Sequence, residues 1–307
     1  SMKENDVKPS GQFHPEEGQT YIHEGNWSAF AQRPYMWAKY IWVFADFQSA
    51  IRNEGGKPGI NDKGLVTYDR KIKKDAFYFY KSVWNQNEKF AYLCPHWNLK
   101  LEKGTVLPVI CYTNCEDAEL FVNGRSFGMK SKGFPCYGMT ERYGHFDRYR
   151  RPANTDDLFL SWDVPYEPGK IEVVGYHDGK EVCRYNVETT GEAAAIKLTV
   201  DKTSVDADGR SIVQAEVRIV DSEGRLVFNA CPELDFTLEG DGEIIGIDNG
   251  DPACHEQWKE TKGRHAFNGM AYAVIRAGQN KGELTLRVQA SGADAAIGKA
   301  SVTISQK

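Results

Sequence analysis

Between Ile212 and Val220 every second side chain is apolar: Val213, Ala215, Val217 and Ile219 alternate with Gln214, Glu216 and Arg218. A period of two sends the two sets to opposite faces, so the segment must be a strand with one face buried and one wet. "AIKLTVD" repeats the pattern with Ile196, Leu198 and Val200, and "ELTLRVQA" and "ASVTIS" repeat it near the end. Turn dipeptides fall at Asp208-Gly209 and Glu223-Gly224. Short strands punctuated in this way predict an immunoglobulin-like β-sandwich over residues 192–307.

The same signals predict a second β-sandwich over residues 89–191. Asn123-Gly124 divides two apolar runs in "AELFVNGRSFG", as a type I′ hairpin requires. Asp178-Gly179 does the same in "KIEVVGYHDGKEVCRYNVET", where Cys183, Tyr185 and Val187 alternate with polar neighbours. The stretch from Gly128 to Asp157, rich in Tyr, Arg, Gly and Pro, has no clear period and reads as a long surface loop. "TTGEAAA" is a short linker of small residues between the two sandwiches.

Residues 1–88 have a different character. "GNWSAFAQRP" carries helical spacing at Trp27 and Phe30, with Pro34 as its stop. "MWAKYIWVFADF" is a near-continuous apolar run, as expected for a strand over Tyr40–Phe47 buried on both faces. A Gly-rich loop, "RNEGGKPGINDKG", then leads through "LVTYD" to a helix in "KKDAFYFYKSVW". One strand, one loop and one helix make a βα unit, which cannot form a domain alone.

A chain of 307 residues has room for two or three cores. Its net charge of −5, with Lys and Arg dispersed, gives no electrostatic footprint for nucleic acid or an anionic membrane. No run approaches the ~20 apolar residues of a membrane span. Ser1 ahead of Met2 reads as the remnant of a cleaved tag. The seven cysteines are scattered, with no Cys-x-x-Cys pair. Cys94 and His96 in "CPHWNL" are two ligands without a second pair, and this phrase is expected to pack the preceding helix against the sandwich. Asp248, Asn249 and Asp251 form an acidic turn that turn chemistry explains without an ion. No metal and no cofactor is expected.

Several phrases occur together in a familiar order. "RPYMWAKYIWVFADF" and "RNEGGKPGINDKGLVTYDRKIKKDAFYFYKSVW" resemble the last strand and helix of the (β/α)8 barrel of glycoside hydrolase family 2. "PHWNL", "VICYTNCEDAELFVNGRSFG" and "LSWDVPYEPGKIEVVGY" resemble the β-sandwich after that barrel in bacterial β-galactosidases, and "GDGEIIGIDNGDP" the final immunoglobulin-like unit. The resemblance implies a mainly β chain. Residues 1–88 would be the end of the barrel, 89–191 a first sandwich and 192–307 a second.

The family hydrolyses glycosides with retention, using two carboxyl groups about 5–5.5 Å apart at the ends of earlier barrel strands. Glu16, Glu17 and Glu24 do not match the nucleophile motif, so no catalytic residue is assigned and the chain alone is expected to be inactive. The resemblance places Trp42 on the floor of the subsite for the cleaved sugar. Asp46 would bond a sugar hydroxyl or tie down the loop through Arg52, with the structural task favoured. Asn61 and Lys63 match an Asn-x-Lys of glucuronidases, where they grip the sugar carboxylate. The implied substrate is a galactoside-containing glycan, with a β-glucuronidase or a non-catalytic carbohydrate-binding or structural module as alternatives. A strand parted from its barrel neighbours is expected to dock on the first sandwich, to pair with another copy of the chain or to be the least protected region, and the partners expected are the missing barrel or another copy. The family implies a periplasmic or secreted location.

Overall fold

Glu16–Ala31 form helix α1, and Asp75–Trp84 form helix α2 with an apolar face of Ala76, Phe79 and Tyr80. The computed structural model describes residues 16–132 and 158–307, apart from positions 32, 55–56, 100, 253, 258 and 260–262. Helix α1 therefore begins eleven residues before Trp27, and Pro34 lies just past its end. Phe47–Glu54 (β1) and Lys57–Asn61 (β2) pair as an antiparallel hairpin, so the expected Gly-rich loop is largely a ribbon.

The expected strand over Tyr40–Phe47, buried on both faces, is corrected. Tyr40, Trp42 and Phe44 are exposed, and regular strand structure starts only at Phe47. A strand is buried on both faces only when sheets or helices cover both. Here Val43–Asp46 run parallel to Lys63–Val66 along one edge, and the aromatic side chains face outward.

The chain divides into two compact units, Ser1–Thr189 and Thr190–Lys307. In the first, Ala91–Cys94 (β3), Val106–Thr113 (β4) and Leu160–Pro165 (β7) form one antiparallel sheet in the order β3-β4-β7. Asp117–Val122 (β5), Arg125–Ser131 (β6), Lys170–His177 (β8) and Lys180–Glu188 (β9) form the other, in the order β6-β5-β8-β9. The hairpin turns are as the sequence requires: Asn123, Gly124, Asp178 and Gly179 all have positive φ. Gly128–Ser131 belong to β6, and the rest of the expected surface loop, residues 133–157, lies outside the described residues.

Between the sheets lie Leu93, Trp97, Val109, Leu120, Trp162, Ile171 and Val173, with Cys183, Tyr185 and Val187 packed against them from β9. The phrase "CPHWNL" divides between two cores: Trp97 belongs to the sandwich interior, while Cys94 packs with Ala76, Phe79 and Tyr80 of α2, as expected of the phrase. The Trp97 indole N–H donates to the Glu167 carbonyl at 2.9 Å, which satisfies a polar atom that burial would otherwise penalise. The helices reach the sandwich through a separate core: Leu65, Ala76, Phe79 and Tyr80 against Ile110, Tyr112, Leu158 and Phe159.

Polar contacts pin α1. Glu16 Oε1 accepts the Asp75 backbone N–H at 2.6 Å, capping α2 from another helix because Lys74 at the N-cap makes no side-chain cap bond. The Tyr112 hydroxyl donates to the buried Glu24 carboxylate. His23 Nδ1 lies 3.0 Å from the Tyr80 hydroxyl. Burial pushes His23 down to about 4. A His buried neutral contributes stability that is present above its unfolded value near 6.5 and is lost as pH falls through 4. Across that window the loss should be on the order of 3 kcal/mol. Glu16 works oppositely: burial first, then Asp75, pushes it up to about 8, so its contribution falls as pH rises from 4.5 towards 8. The His23 share is therefore a difference between proteins. In urea unfolding, His23→Gln should have a flatter acid limb than wild type; equal acid limbs would show that His23 is not held neutral.

The second unit is a two-sheet sandwich. Ala195–Val200 (β10), Ser204–Val205 (β11), Ile212–Val220 (β12), Glu233–Glu239 (β13), Gly242–Asp248 (β14), Arg264–His265 (β15), Met270–Ala277 (β16), Gly282–Ala290 (β17) and Lys299–Gln306 (β18) are its strands. Their orders are β10-β12-β16-β14 and β11-β18-β17-β13-β15. Val213, Ala215, Val217 and Ile219 enter the core with Leu234, Phe236, Leu284, Leu286 and Val288, the face that the period-two pattern assigns to them. Asp221 closes the β12 end. It accepts backbone N–H groups from Gly191, Glu223 and Arg225, and these bonds, against the cost of burial, hold its carboxyl well below the usual range.

Candidate functional site

Two extended segments build the surface that carries the expected sugar-binding residues. Leu65 N–H donates to the Val43 carbonyl at 3.0 Å, Val66 N–H to Phe44 at 3.0 Å, and Asp46 N–H to Val66 at 3.1 Å. Gly64 lies directly against the Ala45 and Asp46 backbone of the neighbouring segment. Gln19 of α1 underpins this pairing by donating to the carbonyls of Lys63 at 3.0 Å and Gly64 at 2.9 Å.

Asp46 is bonded within the fold, with Lys74 as its cationic partner in place of the expected Arg52. Its Oδ1 accepts the Gly64 N–H at 2.8 Å and the Lys74 ammonium at 2.7 Å, and Lys74 also donates to the Asp62 carbonyl at 2.8 Å. Burial pushes the Asp46 carboxyl above the usual range, and Lys74 and the Gly64 N–H pull it partly back. The pair therefore locks the 61–64 turn to the segment that follows Trp42. Lys74, 28 residues away in sequence, and Gly64 and Gln19 were not legible beforehand. The one signal available was the glycine directly after Lys63.

Asn61 is buried, 4% exposed, and its Oδ1 accepts the Lys63 N–H at 3.2 Å in a local turn. Lys63 is half-buried. The structure so brings Asn61 and Lys63 together on one rigid turn, with part of the Asn61 amide already committed to the backbone. Trp42 immediately precedes Val43, whose backbone pairs with Lys63 and Leu65. It is 69% exposed and meets Phe47 edge-on at 6.2 Å; its peptide bond to Val43 is cis. Tyr35, Trp37 and Tyr40, a few residues earlier in the chain, are also exposed, with Trp37 92% open to solvent. A flat indole beside hydrogen-bonding groups can stack on the C–H face of a sugar. Aromatic groups so little covered equally suit burial by protein.

The remaining polar candidates have local partners. Gly250 N–H donates to Asp248 and Asp251 N–H to Asn249, the turn chemistry expected of that acidic loop. His96 accepts the Asn98 N–H, and Cys94 belongs to the helix–sandwich core. Glu116, His177 and Asp178 lie close enough to share an ion, but Glu116 and Asp178 are exposed, and Glu116 accepts the turn N–H of Asp178. The Tyr- and Arg-rich stretch at 136–152 lies outside the described residues. No helix among the described residues is long and apolar enough to cross a membrane.

Residues 196–297 match glycoside hydrolase family 2 C-terminal domain 5, and residues 104–183 match a domain of unknown function (DUF4982). The chain is 30% identical over 284 residues to the β-galactosidase BoGH2A of Bacteroides ovatus, covering 91% of this chain and 30% of that protein. It is 50% identical over 119 residues to a β-glucuronidase of Bacteroides fragilis, covering 39% of this chain and 17% of that protein. Among solved structures, a β-glycosidase from Bacteroides vulgatus superposes with a TM-score of 0.71 at 26% identity, over 91% of this chain and 32% of that one. The chain thus spans about a third or less of the length of these relatives.

Proposed function

On the premise that this chain carries the C-terminal domains of glycoside hydrolase family 2, we propose that it serves a retaining, β-galactosidase-like enzyme as the edge of its sugar site. The substrate is a galactoside-containing glycan, and the carboxyl groups that cleave it belong to parts of the enzyme other than residues 16–307. Trp42 stacks on the sugar, Lys63 and Asn61 offer polar contacts, and Asp46 holds their turn in place through Lys74. The observation that carries this reading is the exposure of Tyr35, Trp37, Tyr40 and Trp42 in a segment that pairs, from Val43 onward, with the locked 61–64 turn. Four large aromatic side chains so open to water within eight residues call for a cover. The remaining barrel strands supply it, with a second copy of the chain as the other candidate. The galactoside preference is supported by the Bacteroides ovatus relative, named a β-galactosidase, which matches along 91% of this chain.

The Asn61–Lys63 pairing and the relative named β-glucuronidase favour a second reading, in which Lys63 meets a sugar carboxylate. The two differ in charge, and one experiment separates them. In the complete enzyme, kcat/KM for nitrophenyl galactoside is compared with that for nitrophenyl glucuronide, in wild type and in Lys63→Ala. On the galactoside reading, wild type prefers the galactoside and the variant loses up to about tenfold in rate with the preference unchanged, as for a neutral hydrogen bond. A wild-type preference for glucuronide that collapses by roughly 30- to 5,000-fold in the variant replaces it, since a charge-assisted bond to a desolvated carboxylate costs about 2–5 kcal/mol to lose.

A further inference from the structure

Cys115 lies in the crossover from β4 to β5, which passes from one sheet of the first sandwich to the other, and Cys183 lies in the edge strand β9. Although 68 residues apart, their Sγ atoms are in contact at 3.5 Å. The strand between them makes this possible. Gly175 of β8 pairs with Ala118 of β5 on one side and with Cys183 on the other. A Cβ on Gly175 would stand 2.6 Å from the Cys183 sulfur and 2.7 Å from the Cys115 sulfur. Both thiols therefore occupy the space that a side chain at 175 would fill. Cys115 is buried, whereas Cys183 is partly open to solvent. Cys94 and Cys111 are buried as well, and Cys231 is exposed.

We propose that Cys115 and Cys183 form a reversible disulfide by exchange with a small-molecule disulfide of the oxidised-glutathione class, stapling the edge strand β9 to the crossover between the sheets. An S–S bond is about 2.05 Å long, so the sulfurs must approach by about 1.5 Å, within reach of small side-chain rotations over a bare glycine. The Cys183 thiol hydrogen-bonds Cys115 and holds it below the usual thiol range, while the same contact pushes Cys183 up. The pair gives up one proton readily and shares the other, so a thiolate is present near neutral pH. Transfer of the shared proton to Cys115 puts the charge on Cys183, the sulfur open to solvent. That thiolate attacks one sulfur of R–S–S–R, and R–S⁻ leaves. Cys115, losing its proton to solvent or to the departed thiolate, then attacks the Cys183 sulfur, and the second R–S⁻ leaves. The two cysteines give up two electrons and two protons, and the external disulfide becomes two thiols.

The test equilibrates the whole chain with mixtures of reduced and oxidised glutathione, quenches with acid, and maps unreduced peptides by mass. The expected product joins the Cys115 and Cys183 peptides, weighs two hydrogens less than their sum, and disappears on reduction. Cys115→Ser should leave Cys183 as a glutathione adduct in place of the cross-link. Gly175→Ala should lower the cross-linking equilibrium about tenfold, because the added methyl displaces both sulfurs. If that variant does not fold, the serine variant carries the test alone. Two free thiols, or two separate glutathione adducts, in wild type at a poise that modifies Cys231 would overturn the proposal.

Discussion

Offered nitrophenyl galactoside or nitrophenyl glucuronide, the isolated chain will show no turnover above buffer. Retaining hydrolysis needs an acid and a nucleophile whose carboxyl groups stand about 5–5.5 Å apart across the scissile bond. Glu16 and Glu24 share one helix at a separation of eight residues, or about 12 Å along its axis. Each is also occupied, Glu16 by the N-terminus of α2 and Glu24 by the Tyr112 hydroxyl. Asp46, the carboxylate nearest Trp42 in sequence, is held by Lys74 and the Gly64 N–H. Acid and nucleophile act as a unit, so their joint absence costs many orders of magnitude in rate. Activity that survives rigorous purification and disappears in Glu16→Gln, Glu17→Gln or Glu24→Gln would defeat this expectation.

Gly64→Ala should be the most damaging single methyl in the N-terminal segment. Its Cβ would lie 2.1 Å from the Asp46 nitrogen, 2.4 Å from the Ala45 carbonyl carbon and 2.6 Å from the Val66 oxygen. All three are backbone atoms, so no side chain can rotate away. The two extended segments must part, and with them go the Asp46–Gly64 bond and the geometry that seats Lys74. We expect a loss of about 4 kcal/mol or more in urea unfolding of the first unit, at the upper end for one substitution. Amide protection at Leu65 and Val66 should be lost with it. Gly104→Ala is the control: φ is +92° there and nothing lies within 4 Å of the added carbon, so only a conformational cost of about 1 kcal/mol applies. A Gly64→Ala protein as stable as that control would mean that the two paired segments are not in such close contact.

The sandwiches were legible because their information is local. Alternation in Ile212–Val220 needs no distant partner to be read, and Asn-Gly or Asp-Gly between apolar runs dictates its own turn. The N-terminal segment was not, because its information is relational. An aromatic run becomes a buried strand only if neighbours cover both faces, and the side chains of Tyr40 and Trp42 look outward. The β1–β2 ribbon hid behind Gly, Pro and Asn residues that usually signal loops. Of the expected site residues, Trp42, Asp46, Asn61 and Lys63 do line neighbouring segments. What holds them, from Gln19 to Lys74, is joined by contacts across 28 to 45 residues that no periodicity reveals.

The core beneath the helices also sets a schedule. Phe79 and Tyr80 of α2 are covered partly by Leu158 and Phe159, which lie far downstream. A ribosome extends a chain by about 5–20 residues per second, so the roughly 75 residues from Trp84 to Phe159 take about 4–15 s to appear. For that interval the aromatic face of α2 is finished but its cover is not. Transiently exposed apolar surface of this kind is prone to aggregate, and slower translation past Trp84 lengthens the exposure.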